Sequence, residues 1–139
     1  VLLYGAREAT KDVDVLFLGG VEPAIVRRAV QRAGNALGLP DDWLNDAAKG
    51  YVHGLSLGEI LLDEPALLVR ALAPQQLLAM KLSAWRDDVD IEDARLLLGK
   101  LGAERDEVWS LVEPHIVPGR ETKAYFAFCD RWEVEHGSP

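Results

Sequence analysis

Apolar residues recur along this chain in two rhythms. The unbroken run from Val13 through Val15-Leu16-Phe17-Leu18 predicts a buried first strand, ended by Gly19-Gly20. From Glu22 to Leu37 the spacing becomes helical. Val26, Ala29, Val30, Ala33 and Leu37 share one face, Arg27, Arg28, Gln31 and Arg32 lie opposite, and Gly38-Leu39-Pro40 stops the helix. Asp41 or Asp42 then predicts the cap of a short helix through Trp43, Leu44, Asn45 and Ala48, ended by Gly50. Runs at Glu59–Leu62 and Leu67–Leu72 flank Asp63-Glu64-Pro65-Ala66, which predicts a hairpin. Residues 1–9 read as the end of a helix or a tight connection.

The second half reads as helical. Pro74 opens a helix with Leu77, Leu78, Leu82 and Trp85 as its buried stripe. After an acidic break at Asp87 to Asp90, a second helix carries Ile91, Ala94, Leu97, Leu98 and Leu101. A third spans Glu104 to Val112, with Val108, Leu111 and Val112 inward. A last helix, about Thr122 to Glu135, buries some of Tyr125, Phe126, Cys129 and Trp132. One strand and a helix, a hairpin, then helices predicts an α+β fold: a small mixed sheet with helices packed on it. Residues 1–100 form that domain, and residues 101–139 a C-terminal helical extension packed on it.

Composition narrows the setting. No apolar run approaches the roughly 18–20 residues that cross a membrane. Cys129 is the only cysteine and no secretory pattern opens the chain, so a reducing cytoplasm is expected. The formal net charge of −8 argues against general nucleic-acid binding, which needs clustered Lys and Arg. It leaves room for a nucleotide whose charge a bound metal offsets. The chain opens on Val1 without methionine, which reads as a truncated N-terminus.

The chemistry centres on Asp12-Val13-Asp14. On a strand the side-chain period is two, so Asp12 and Asp14 point to one face. Paired carboxylates repel unless something positive lies between them, and a hard divalent cation such as Mg²⁺ or Mn²⁺ fits there. The plainer alternative is a solvated turn entering a strand. Lys81 lies on the apolar stripe of its helix. It reaches either toward Asp12, Asp14 or nucleotide phosphates, or into an ion pair with Asp93 or another acid of the following helix. Arg7, Lys11, Arg27, Arg28 and Arg32 gather around the first strand and its helix, though the three helix arginines more simply form a solvated face. Asp88-Val89-Asp90 reads as a loop and helix start inside a self-satisfied charge cluster. His53, His115 and His136 have no partner at zinc spacing.

The run Gly5-Ala6-Arg7-Glu8-Ala9-Thr10-Lys11-Asp12-Val13-Asp14-Val15-Leu16-Phe17 resembles the nucleotidyltransferase superfamily of DNA polymerase beta-like fold. The nearest likeness is to small bacterial members grouped with abortive-infection and toxin–antitoxin proteins. Leu39 to Gly50, Leu77 to Arg86, and Asp90-Ile91-Glu92-Asp93 carry the likeness further, over roughly residues 4 to 100. The resemblance implies Mg²⁺, a nucleoside triphosphate as substrate, and an acceptor hydroxyl that attacks the α-phosphate as pyrophosphate leaves. It makes Asp12 and Asp14 the catalytic and metal-binding residues, with Lys81, Lys11 and Arg7 as nucleotide-binding candidates. Two departures stand against it. The family's upstream glycine pair is represented only by Gly5-Ala6, and its third carboxylate, on a later strand, has no counterpart in Leu67-Leu68-Val69-Arg70-Ala71-Leu72. The competing expectation is a non-catalytic protein of the same fold that works through a partner or as a homodimer. The aromatic final helix, with Tyr125, Phe126, Phe128 and Trp132, would serve as its contact face. Acceptor identity stays open, tRNA included.

Overall fold

The structure, a computed structural model, describes residues 12–102 and 104–137. Its elements are β1 (Val13–Asp14), α1 (Pro23–Leu37), β2 (Leu44–Asn45), a 3-10 turn (Ala47–Tyr51), β3 (Leu57–Glu64), β4 (Leu67–Leu72), α2 (Pro74–Ala84), α3 (Asp88–Leu101), α4 (Arg105–Val112), a second 3-10 turn (Glu113–His115) and α5 (Glu121–His136). The fold is α+β. The single mixed sheet expected from the sequence is corrected, because two separate ladders form among the described residues. β1 pairs with β2 in parallel, and β3 with β4 antiparallel. Compact packing divides the chain between Gly50 and Tyr51, and α4 and α5 fall in the same unit as α2 and α3.

In residues 12–50 the first strand is far shorter than its apolar run. β1 gains Val13 N–H to Trp43 O at 2.7 Å and Val15 N–H to Asn45 O at 2.8 Å. Its partner β2 is two residues long, so the ladder ends there. Phe17 and Leu18, expected in a buried strand, are 51% and 56% exposed. The segment expected to form a short helix from Trp43 is instead β2 followed by the 3-10 turn. A turn closed by Trp43 N–H to Pro40 O at 3.1 Å leads Leu44 and Asn45 into pairing with β1.

Helix α1 starts on Pro23, whose missing N–H has no helical partner at that position, and ends at Gly38 with φ 67°. Only Gly34 of α1 is buried, while Val26, Val30 and Ala33 are half-covered and Ala29 and Leu37 exposed. Gly34 is bare because Trp43 occupies the place of a side chain. Trp43 Nε1 donates to Val30 O at 3.1 Å, and a β-carbon at Gly34 would lie 2.9 Å from that nitrogen. Gly34→Ala would gain about 1 kcal/mol of helix propensity. It would also displace the ring and its hydrogen bond, at about 1–3 kcal/mol. We expect a net loss of about 1 kcal/mol by urea denaturation followed at Trp fluorescence, against the usual stabilising direction of Gly→Ala in a helix.

Residues 51–137 are built around α2, which buries Gln76, Leu78, Ala79, Leu82, Ser83 and Ala84 and packs against α3, α4 and α5. Leu97 and Leu98 from α3, Val108 and Val112 from α4, and Phe128 and Trp132 from α5 complete the core. Leu111 departs from expectation and is 48% exposed, because α4 turns Val108, Val112 and part of Trp109 toward the core. Tyr125 and Phe126 also face outward, while Phe128 takes the fully buried place on α5. Trp85 ends α2 at φ 40°, its N–H returning to Lys81 O at 2.7 Å. The acidic break is the next helix's start: Asp87 Oδ1 accepts from Asp90 N–H at 3.0 Å and caps α3. Buried Gln76 ties down the loop before β3, accepting from Ser56 N–H at 2.8 Å and donating to His53 O at 3.0 Å. Among the described residues no helix is long and apolar enough to cross a membrane.

Candidate metal and nucleotide site

The parallel register of β1 and β2 brings together residues that lie thirty-one positions apart. Asp14 pairs with Asn45 and Val13 with Leu44. Paired residues of neighbouring strands project to one face, so Asp14 and Asn45 share a side. Asn45 Nδ2 reaches Asp12 Oδ2 at 3.5 Å, which places Asp12 toward that side as well. Asp12 and Asp14 are both exposed and Asn45 is half-buried.

Asn45 is itself held. Its Oδ1 accepts from Ala47 N–H at 2.9 Å, and its Nδ2 also faces Asp42 O at 3.3 Å. Next along the chain, Asp46 pairs with Lys49 at 2.8 Å. The hydrogen bond from Lys49 holds the Asp46 carboxyl below the usual aspartate range.

Two exposed carboxylates with hard oxygen donors suit Mg²⁺ or Mn²⁺ when water and substrate phosphates complete the shell. Among the described residues no group of three or more His, Cys, Asp or Glu side chains could hold a metal. Asp63 and Glu64, the acids nearest the hairpin turn, end β3, and Arg70 occupies the middle of β4, donating to Gly58 O at 2.7 and 3.2 Å.

Lys81 stands elsewhere in the chemistry. Its Nζ lies 2.7 Å from Asp93 and 3.0 Å from Asp90, both acids about 1% exposed. Arg86 adds a bond to Asp90 from its backbone N–H and another from Nε, each 3.1 Å. Burial pushes Asp90 up, but the hydrogen bonds from Arg86 and Lys81 outweigh it and hold the carboxyl below its ordinary value. Of the two roles open to Lys81 in the sequence, the one visible in its contacts is the ion pair across α2 and α3.

Arg7 and Lys11, with Gly5-Ala6, lie outside the described residues. Arg28 and Arg32 are exposed, and Arg27, also exposed, bonds to Pro23 O at 3.4 Å. The histidines do other work: His115 Nδ1 meets Gly54 O, and His136 stacks on Trp132 with centroids 4.0 Å apart. Asn45 and Trp43 are the residues that sequence reasoning passed over. A signal was there for Asn45, since an Asn side chain accepting from the N–H two residues on is a common turn device. Its reach back to Asp12 had no signal. Comparison with protein-family models, characterised proteins and solved structures finds no match to this chain.

Proposed function

We propose that this chain is a nucleotidyltransferase-type protein that takes a nucleoside triphosphate with Mg²⁺ at the head of β1. Asp12 and Asp14 supply the carboxylates, and the product is a nucleoside monophosphate joined to a hydroxyl acceptor with pyrophosphate released. What supports the reading most is the pair of exposed acids on one side of a parallel ladder, braced by Asn45. A bound Mg²⁺ would supply charge neutralisation at the phosphates. The chain's own part is to hold two oxygen donors on a fixed strand end. Arg7 and Lys11 remain the proposed phosphate contacts, and Mn²⁺ is the alternative cation.

A second reading has its own observation. No third carboxylate joins Asp12 and Asp14 among the described residues, and Lys81 is engaged by Asp90 and Asp93. That combination favours a non-catalytic protein of the same fold, such as one component of a toxin–antitoxin pair, acting through a partner protein or as a homodimer.

Thermal unfolding separates the two. A ligand bound only by the folded chain stabilises it by RT ln(1 + [L]/Kd), about 2.7 kcal/mol at a hundredfold excess over Kd. On the first reading, Mg²⁺ with at least one of the four common nucleoside triphosphates raises the melting temperature. The double substitution Asp12→Asn with Asp14→Asn abolishes the rise. If none of the four stabilises the wild-type chain, the second reading stands.

A further inference from the structure

Helix α1 runs against the charge of the chain that carries it. Pro23–Leu37 holds Arg27, Arg28 and Arg32 and no acid, in a chain of net charge −8. Arg27 turns back to Pro23 O. Arg28 and Arg32 lie one turn apart and are exposed. Among the described residues the ion pairs use Lys49, Lys81, Arg86, Arg95 and Arg131, and neither Arg28 nor Arg32 joins one. Beside them Ala29, Ala33 and Ala36 floor a shallow hollow that Arg32 and Asn35 complete. Ile25, a turn earlier on the same side, is exposed as well.

Helix α4 has the opposite character. Asp106 and Glu107 are exposed in its first turn, and with Ser110 and Leu111 they line a second shallow hollow. Neither acid is in an ion pair with a described residue. Arg105, their neighbour in sequence, directs its guanidinium to Cys129 Sγ at 2.7 Å. Leu111 stands exposed one turn past Glu107. We propose that α1 of one copy docks on α4 of a second copy, with Arg28 and Arg32 against Asp106 and Glu107 and Leu111 set on the alanine floor. The inference rests on neither reading of Asp12 and Asp14.

Each face supplies what the other lacks. Alanines let a second helix approach closely, and a protruding leucine fills the space they leave. The planar fork of arginine gives two parallel bonds to one carboxylate, and arginine is enriched at protein interfaces. Both faces are open within their own chain, so the complement must come from outside it. A second copy brings both at once. A nucleic acid or an anionic lipid surface would take the arginines but be repelled by Asp106 and Glu107 and leave Leu111 in water. The competing account is that the α4 acids only complement the dipole of their helix and that the α1 arginines form a solvated face.

Charge reversal separates these accounts. Light scattering on the eluting full chain reads its mass. At low salt we expect wild type to run above the mass of one chain. Arg28→Glu with Arg32→Glu should run as a single chain, and so should Asp106→Lys with Glu107→Lys. An equal mixture of the two variants should associate again, because each now carries the complement of the other. A single-chain mass for wild type overturns the proposal. So does a mixture that stays dissociated while circular dichroism shows both variants folded. Should a variant unfold, wild type decides by its response to salt. Screening shortens from about 10 Å at 0.1 M to about 3 Å at 1 M, so the assembly should come apart across that range. Assembly that persists at 1 M salt overturns the arginine–carboxylate contact.

Discussion

Lys81→Met is expected to lower the unfolding free energy by about 3 kcal/mol at neutral pH, far more than an exposed ion pair is worth. Asp90 and Asp93 are almost wholly buried, and Lys81 reaches both. Methionine keeps the length of the stem along the α2 stripe, so the loss reports the ammonium rather than packing. Arg86 still serves Asp90 in the variant, which keeps the cost at the lower end of the range for a broken buried pair. The pH dependence follows from Asp90, whose folded carboxyl titrates below its ordinary value. A depressed carboxyl contributes stability that is fully present above the unfolded pKa of about 3.9 and is lost as pH falls through the lower folded value. In Lys81→Met the hydrogen bond from Lys81 that lowers Asp90 is gone, so the gap between the two proteins narrows as the solution is acidified. Urea denaturation at pH 7 and pH 4, followed by circular dichroism, measures both. A loss under 1 kcal/mol at pH 7 would mean that water screens the pair. Asp93→Asn in the Lys81→Met background should recover part of the loss, because it removes a buried charge that the variant leaves short of a cation.

This outcome bears on function too. If Lys81 works as a brace, its substitution lowers stability and leaves unchanged any metal affinity of the site proposed at Asp12 and Asp14. Mn²⁺ titration of the folded fraction shows the difference directly.

How far the sequence reached depends on how local each determinant is. Helices α2 to α5 were legible because their signals lie within a turn or two: Pro74 at a helix start, Leu78 with Leu82, and Leu97 with Leu98 on inward stripes. The Lys81 ion pair was within reach for the same reason, its partners Asp90 and Asp93 lying nine and twelve residues on. Residues 12–50 were read poorly. Val13 to Leu18 looks like a core strand, yet its length is set by a partner of two residues that lies thirty-one positions away. The stretch after Asp41-Asp42 has helical spacing, but the Asn45 turn and the pairing of Leu44 with Val13 outweigh that weak local preference. Gly34 reads as an ordinary helix glycine until Trp43 is seen against it. On α5 the sequence located the aromatic helix but not which rings turn inward. Tyr125, Phe126 and Phe128 are all aromatic, and only the tertiary packing, which buries Phe128 and leaves Tyr125 and Phe126 exposed, sorts them.

That sorting gives the second large effect. Phe128→Ala should cost about 3–5 kcal/mol, while Phe126→Ala, two residues away, should stay within about 0.5 kcal/mol. Phe128 is fully buried, with its ring 5.0 Å from Trp109 and 5.7 Å from Trp132 between centroids, whereas Phe126 is 68% exposed. Removing the Phe128 ring leaves a cavity in the core beside Trp109 and Trp132. Phe128→Leu, which fills part of it, should fall between the two. Denaturation followed by tryptophan fluorescence reads Trp109 and Trp132 at the cavity wall. Equal losses at positions 126 and 128 would mean that Phe126 is covered in solution by something other than its own chain. Light scattering on Phe126→Ala would then show whether that cover is a second copy, the outcome that would favour the partner-binding reading over nucleotidyl transfer.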